Sequence, residues 1–271
     1  MTVLVNGVVE PDGLISVFDP MVIRGDGCFE AVRSYGGRLF QLRPHLERLA
    51  NSARALGIPL PAMADLTAWS ERVALDGGDC SVRILASSGK PDSHPLVVVL
   101  SLPIEPMPES LRLRSVPAPW HPAGAEWELS GIKTLSYAPN MAATRVATAD
   151  GYDDALLIGR GGEVLELPTS SIAWVVDGVL ETPALGLGIL ASITRRVVLD
   201  LCDELGIEVR DGTWSVDRLD EAREVMALST VREVMPVVAV DDRRYGIGPT
   251  TAKLAVAYRD SALAAVSAPS T

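Results

Sequence analysis

G-I-K-T-L-S-Y-A-P-N-M-A-A-T-R-V-A, residues 131–147, is the stretch that sets the reading of the whole chain. Lys133 stands among Ile132, Thr134 and Leu135, all apolar or small. Ser136 is a candidate N-cap for the alanine-rich run that follows. Pro139 falls in the first turn of that run, where a missing N–H costs nothing. The pattern predicts a helix over 138–149, with the lysine held at a strand end just before it. An amine partly desolvated there has a lowered pKa and can attack a carbonyl carbon to form a Schiff base. A surface lysine that packs its stem and leaves its amine in water satisfies the same residues.

The chain of 271 residues is 48% hydrophobic and 22% charged, enough for one large or two modest soluble domains. A net charge of -11 and a pI near 4.8 weigh against nucleic acid or an anionic membrane as partner. An anionic small ligand therefore needs a local cluster of arginines or amides. Cys28, Cys80 and Cys202 are widely spaced, with no C-x-x-C or Cys/His ligand spacing, so neither a metal site nor a disulfide framework is expected. The start, M-T-V-L-V-N-G, lacks a basic segment followed by an apolar run, and no stretch of about 18 apolar residues occurs, so the expected location is cytoplasmic.

Residues 2–9 alternate around Asn6-Gly7 and read as a hairpin, with a further strand over 14–18 and a strand or helix start over 27–35. Leucines at 46, 49 and 56 with Ala53 give one apolar helical face over 44–56, ending at Gly57 as C-cap. A second helix is predicted over 64–75, then strands over 81–86 and 96–102. Three prolines in P-I-E-P-M-P, residues 103–108, make a linker, dividing the chain into domains 1–106 and 107–271. The second half carries predicted strands over 111–116, 155–158, 172–176 and 225–228 and helices over 138–149 and 194–205. Without strict βαβ alternation, two α+β domains are expected.

Four further stretches carry candidate chemistry. R-G-D-G-C-F-E-A-V-R (24–33), with Q-L-R-P-H-L-E-R-L (41–49), places Arg48 near the start of the first long helix, where it can bind a phosphate or stand exposed. G-E-V-L-E-L-P-T-S-S-I-A-W (162–174) puts Glu166 in an apolar run, where a carboxylate needs a cation or several hydrogen bonds unless the strand is exposed. In G-I-L-A-S-I-T-R-R (188–196), Ser192 or Thr194 can cap a helix whose first N–H groups form an anion site. In M-A-L-S-T-V-R-E-V-M-P-V (226–237), Ser229 and Thr230 end a buried strand.

In this order the five stretches resemble the pyridoxal-phosphate-dependent class IV aminotransferases, which include D-amino-acid and branched-chain aminotransferases and aminodeoxychorismate lyase. The resemblance implies a two-domain α+β fold of fold type IV, the architecture of D-amino-acid aminotransferases, with the Schiff-base lysine, Lys133, in the domain 107–271. It implies that Lys133 binds pyridoxal 5'-phosphate and shuttles the substrate proton, while Glu166 keeps the pyridine nitrogen protonated. It places Arg48, Ile193, Thr194, Ser229 and Thr230 at the phosphate and Tyr137 near the phenolic oxygen. Phe29, Glu30 and Arg33 fall where substrate-pocket side chains come from. A homodimer, and amino acid and 2-oxo acid substrates, are implied.

D-amino-acid aminotransferases of the best-known type clamp the substrate carboxylate with an R-x-H pair after the strand corresponding to 81–86. This chain reads S-S-G-K-P-D-S-H there, so Lys90 or His94 would have to substitute, and a lysine offers a point charge rather than a fork. Arg83 and Arg33 can equally well serve an aromatic carboxylate, as the lyase requires. Length and K-T-L-S-Y favour a transaminase of D-amino acids. F-E-A-V-R-S-Y and I-T-R resemble the branched-chain enzymes, and G-D-G-C-F resembles the lyase.

Overall fold

Asn6 and Gly7 both have positive φ (47° and 79°), which lets two residues turn β1 (Val3–Val5) back into β2 (Val8–Val9). This hairpin opens the computed structural model, which describes residues 2–267. β3 (Cys28–Tyr35), β4 (Arg38–Leu39), β5 (Cys80–Ser87) and β6 (Leu96–Pro103) complete a six-stranded antiparallel sheet of order β2-β1-β6-β5-β3-β4. Along β3 the period of two is plain: Cys28, Glu30, Val32 and Ser34 are buried, while Phe29, Ala31 and Arg33 are partly open. Val32 and its neighbours Val82, Ile84, Val97 and Val99 pack against two helices. These are α2 (Leu42–Ala55), through Leu46, Leu49 and Ala53, and α3 (Met63–Gly77), through Leu66, Val73 and Ala74. The register sets Arg83 opposite Ala31, so Arg83 shares the other face with Phe29 and Arg33.

Sequence and structure part in three places here. Residues 14–18 form no strand; the chain turns at Val17 and Phe18, and Leu14, Val17 and Phe18 stay exposed. A short helix, α1 (Pro20–Arg24), follows instead, with the Asp19 carboxylate capping the Met21 N–H. At the end of α2 the cap is Leu56, and Gly57 takes the left-handed position just after it (φ 67°).

The second sheet has eight strands: β7 (Leu111–Pro117), β8 (Asp154–Ile158), β9 (Ser171–Val176), β10 (Val179–Pro183), β11 (Val209–Gly212), β12 (Glu224–Ser229), β13 (Glu233–Val240) and β14 (Arg243–Arg244). Its order is β11-β10-β9-β12-β13-β7-β8, with β14 on β13. The pairs β10–β11, β13–β7 and β7–β8 are parallel. Trp174, fully buried, centres a core with Leu113, Leu156, Ile172, Ala227 and Val237. The helices are α4 (Ala138–Ala149), α5 (Ile193–Glu204) and α6 (Pro249–Ser267). The sequence reading passes over α6, although Pro249 at its first position and Leu254, Tyr258 and Ala262, buried at a spacing of four, are helix signals. Buried Glu224 accepts the Thr250 and Thr251 N–H groups at the start of α6.

The fold is α+β, in two units. One runs to Pro106 and takes in Ile132–Tyr137 and the described residues from Ala262; the other comprises Met107–Gly131 and Ala138–Ser261. The lysine segment thus groups with the first unit, not with the rest of 107–271. Backbone pairing is the reason: Phe29 N–H donates to Lys133 O (3.1 Å) and Leu135 N–H to Gly27 O (2.8 Å). A Cβ on Gly27 would stand 2.6 Å from the Ala86 carbonyl oxygen and 2.7 Å from the Leu135 side chain, so only glycine admits that approach. No described helix is long and apolar enough to cross a membrane.

Candidate active site

Lys133 lies in an extended segment bridged to Cys28 through Thr134, and its backbone N–H donates to Ser52 Oγ. Its Nζ donates to Tyr137 Oη (3.4 Å) and lies 4.4 Å from the centroid of the Phe29 ring. Phe29 and Tyr137 meet edge to face, with centroids 5.2 Å apart. The lysine is therefore partly buried between two aromatic rings beside a hydroxyl. Ser136, expected as a helix cap, instead donates its hydroxyl to Gly25 O (3.0 Å), and α4 begins at Ala138.

Arg83 shares this face. Burial lowers its pKa from the ordinary arginine value, against the pull of Tyr137 and Glu30, and its buried Nε has no hydrogen-bond partner. A guanidinium with that unmet donor is suited to an incoming anion. Arg33 lies over the Tyr35 ring, 4.9 Å from its centroid. His94 is exposed on the loop between β5 and β6. The same exposed loop carries Lys90.

Glu30 corrects another expectation. The strand's alternation turns it away from Phe29 and Arg33, so it lines no pocket with them but lies fully buried under α2. There it accepts Arg48 Nε–H at Oε1 (2.7 Å) and Arg48 Nη2–H at Oε2 (2.8 Å), a bidentate fork, and its Oε2 lies 2.7 Å from His45 Nδ1. Burial pushes the Glu30 carboxyl up, but the charge and hydrogen bonds of Arg48, then those of His45, outweigh it and hold it at about 2. Burial takes His45 below its usual value despite Glu30. Arg48 and His45 sit one helical turn apart, which is how one carboxylate reaches both.

Acid sensitivity follows. Below pH 6.5 the unfolded chain takes up a proton at His45 that the fold resists, so stability declines as pH falls. The His45 slope is at most about 1.4 kcal/mol per pH unit. Glu30 adds a loss as pH falls from 4.5 toward about 2. Urea midpoints measured across this range should fall toward acid, and His45→Gln should flatten the upper part; an equal slope in that variant would remove His45 from the account.

The second unit holds the remaining candidates. Glu166, flanked by buried Leu165 and Leu167, is partly buried, and both its oxygens accept the Leu190 N–H (3.4 and 3.3 Å). Ser192 caps α5, its hydroxyl taking the Arg195 N–H, while the N–H groups of Ile193 and Thr194 open the helix without intrahelical acceptors. Thr194 Oγ1 lies 3.5 Å from Tyr258 Oη, both buried. Ser229 ends β12 and its hydroxyl accepts the Arg232 N–H, closing the turn that carries Thr230. Arg232 is pinned in turn by Asp154 (2.9 Å) and Ser170 (3.1 Å). The sequence leaves unassigned His45, beside Glu30 in the first unit, and His121 and Arg232, beside Glu166 and the Ser229 turn in the second. Among the described residues no group of His, Cys, Asp and Glu could hold a metal ion.

The family model for amino-transferase class IV matches residues 27–240. A Methanocaldococcus jannaschii protein, provisionally named a branched-chain-amino-acid aminotransferase, is 31% identical over 96% of this chain and 96% of its own. A D-alanine aminotransferase of Listeria monocytogenes is 30% identical over 94% of this chain and 93% of its own. The crystal structure of the branched-chain aminotransferase of Thermoproteus uzoniensis with norvaline superposes with a TM-score of 0.89 at 30% identity, over 97% of this chain and 95% of that one.

Proposed function

The chain belongs to the class IV aminotransferases, pyridoxal-phosphate enzymes of fold type IV, and on that premise we propose that it moves an amino group between a D-amino acid and a 2-oxo acid. The observation that carries this reading is the Lys133 amine, set against Phe29 and Tyr137 on the face where Arg83 keeps an unmet donor. The residues present fit the cofactor by their chemistry: an amine for the aldehyde, a partly buried carboxylate for the ring nitrogen, and arginine and helix-start amides for the phosphate.

When bound, pyridoxal phosphate supplies the aldehyde that captures an amine and the ring that draws electrons from the substrate Cα. Lys133 would tether the cofactor through its amine and would serve as the base that holds and moves the proton of the substrate Cα. The Glu166 carboxylate would hold the proton at the ring nitrogen, and Tyr137 would donate toward the phenolic oxygen. Arg48, the Ile193 and Thr194 amides, and Ser229 with Thr230 would bind the phosphate. Arg83, with Arg33 beside it, would orient the substrate carboxylate, and Phe29 would wall the pocket. Arg83→Ala should raise KM by about ten- to a hundredfold with little change in kcat, the loss of one charge-assisted contact. Arg83→Lys should not restore it, because a point charge does not replace the fork; an unchanged KM in both variants would remove Arg83 from substrate binding.

The handedness rests on the K-T-L-S-Y stretch and the likeness to D-alanine aminotransferases. The likeness to branched-chain enzymes favours a second reading, L-branched-chain amino acids. The visible spectrum after adding one amino acid at a time, without oxo acid, separates them. Bleaching by D-alanine or D-glutamate but not L-leucine supports the D reading, and the reverse supports the second. A cofactor band that ignores both would point to the lyase. A cytoplasmic homodimer belongs to the same proposal: Val8, Leu14, Val17 and Phe18, each 68–70% exposed, are more apolar surface than a short segment of a monomer usually leaves uncovered. The net charge of -11 disfavours nucleic acid and membrane as partners.

A further inference from the structure

His121 has no part in the roles above, yet its ring faces the carboxylate on which the electron-drawing chemistry depends. It closes a turn after β7, its N–H donating to Ala118 O (3.0 Å). Its Nδ1 accepts the Ala123 amide N–H at 3.2 Å, and an accepting Nδ1 leaves the ring proton on Nε2. That nitrogen lies 3.8 Å from Glu166 Oε1, with both side chains largely buried (10% and 15% exposed).

The Glu166 main chain is fixed, since its carbonyl accepts the Leu157 N–H at 2.9 Å. The carboxylate is not fixed by Leu190 alone, because that single amide is shared almost evenly by both oxygens, at 3.4 and 3.3 Å. A carboxylate held by one bifurcated donor can still swing about its last torsion, which is broad and two-fold. The Nε2–H of His121 approaches the carboxylate nearest at Oε1, 3.8 Å away, and so favours that oxygen. We infer that His121 is a positioning residue for Glu166: it draws Oε1 to itself and leaves Oε2 aimed for the cofactor's ring nitrogen. This rests on the proposed role of Glu166. The ring acts through the carboxylate and touches neither substrate nor cofactor.

The test compares His121→Ala, His121→Gln and Glu166→Gln with the wild type, all loaded with pyridoxal phosphate. Four quantities are read: the position of the cofactor's visible band, kcat, KM, and the melting temperature of the cofactor-free protein. The inference expects His121→Ala to shift the band and lower kcat about tenfold at unchanged KM, with the melting temperature held. His121→Gln, whose amide N–H can stand near the place of Nε2–H, should return both toward wild type. A merely structural histidine would lower the melting temperature and leave band and kcat alone, and that result overturns the inference. If His121→Ala is silent while Glu166→Gln shifts the band, the inference alone fails. If Glu166→Gln is silent too, the assignment of Glu166 falls with it.

Discussion

Lys133→Ala is expected to abolish turnover and to leave the bound cofactor unattached to the chain. Two functions go at once. The amine that tethers the cofactor is lost, and so is the base that moves the substrate proton, whose absence alone lowers rates by roughly 10²–10⁴-fold. Borohydride reduction followed by mass measurement reads the first: the wild-type chain should gain the mass of the reduced cofactor, and the variant should not. Folding should survive, because Lys133 holds its segment through main-chain groups that alanine keeps, the carbonyl accepting Phe29 N–H and the N–H donating to Ser52 Oγ. Substantial activity in a folded Lys133→Ala protein would refute the central assignment. Addition of a small primary amine should recover part of the proton transfer without the tether, which separates the two functions.

The Lys133 segment stands out in the sequence because its neighbours are chemically distinctive: a strand-like run, a serine, a proline and an alanine-rich helix. The helix over 138–149 is found at the predicted residues. What the serine does was not legible, since its partner, the Gly25 carbonyl, is remote in sequence. Glu30 shows the same limit more sharply. Adjacent to Phe29 in F-E-A-V-R, it reads as a pocket residue, and strict alternation along a strand would have turned it to the opposite face. A glutamate on a buried face contradicts the apolar pattern until its partners are known, and those partners lie on α2. The spacing of His45 and Arg48 in P-H-L-E-R does place them on one side of a helix, but nothing local names the acid they share. His121, in P-A-P-W-H-P-A-G, stands in a stretch with no periodicity at all, so only the tertiary fold brings it to Glu166. The strands β10, β11 and β13 are not among those predicted, although V-M-P-V-V-A-V is apolar enough for a central strand.

Glu30→Ala is expected to destabilise the first unit by roughly 3–5 kcal/mol, the usual effect of removing one partner of a buried ion pair. Against a typical total of about 5–15 kcal/mol this is a large fraction, and it should lower the melting temperature by roughly 10 °C. The reason is the buried position of what remains. The Arg48 side chain is only 12% exposed and would lose both bonds of its fork, and fully buried His45 would lose its carboxylate partner. Glu30→Gln keeps the shape and one acceptor, so its loss should be smaller. Removing both charges together, in Glu30→Gln with Arg48→Met, should destabilise less than Glu30→Ala, because no unpaired charge is left buried. The same series tests the phosphate role. If Glu30 holds Arg48 in place for the phosphate, Glu30→Gln and Arg48→Ala should both raise the cofactor's dissociation constant, Arg48→Ala by about ten- to a hundredfold. Were Glu30→Ala to melt like the wild type, the fork would contribute nothing measurable to the fold. Were Arg48→Ala to retain its cofactor through dialysis, the arginine would serve only to neutralise Glu30, and the phosphate would depend on the α5 amides and the Ser229–Thr230 turn.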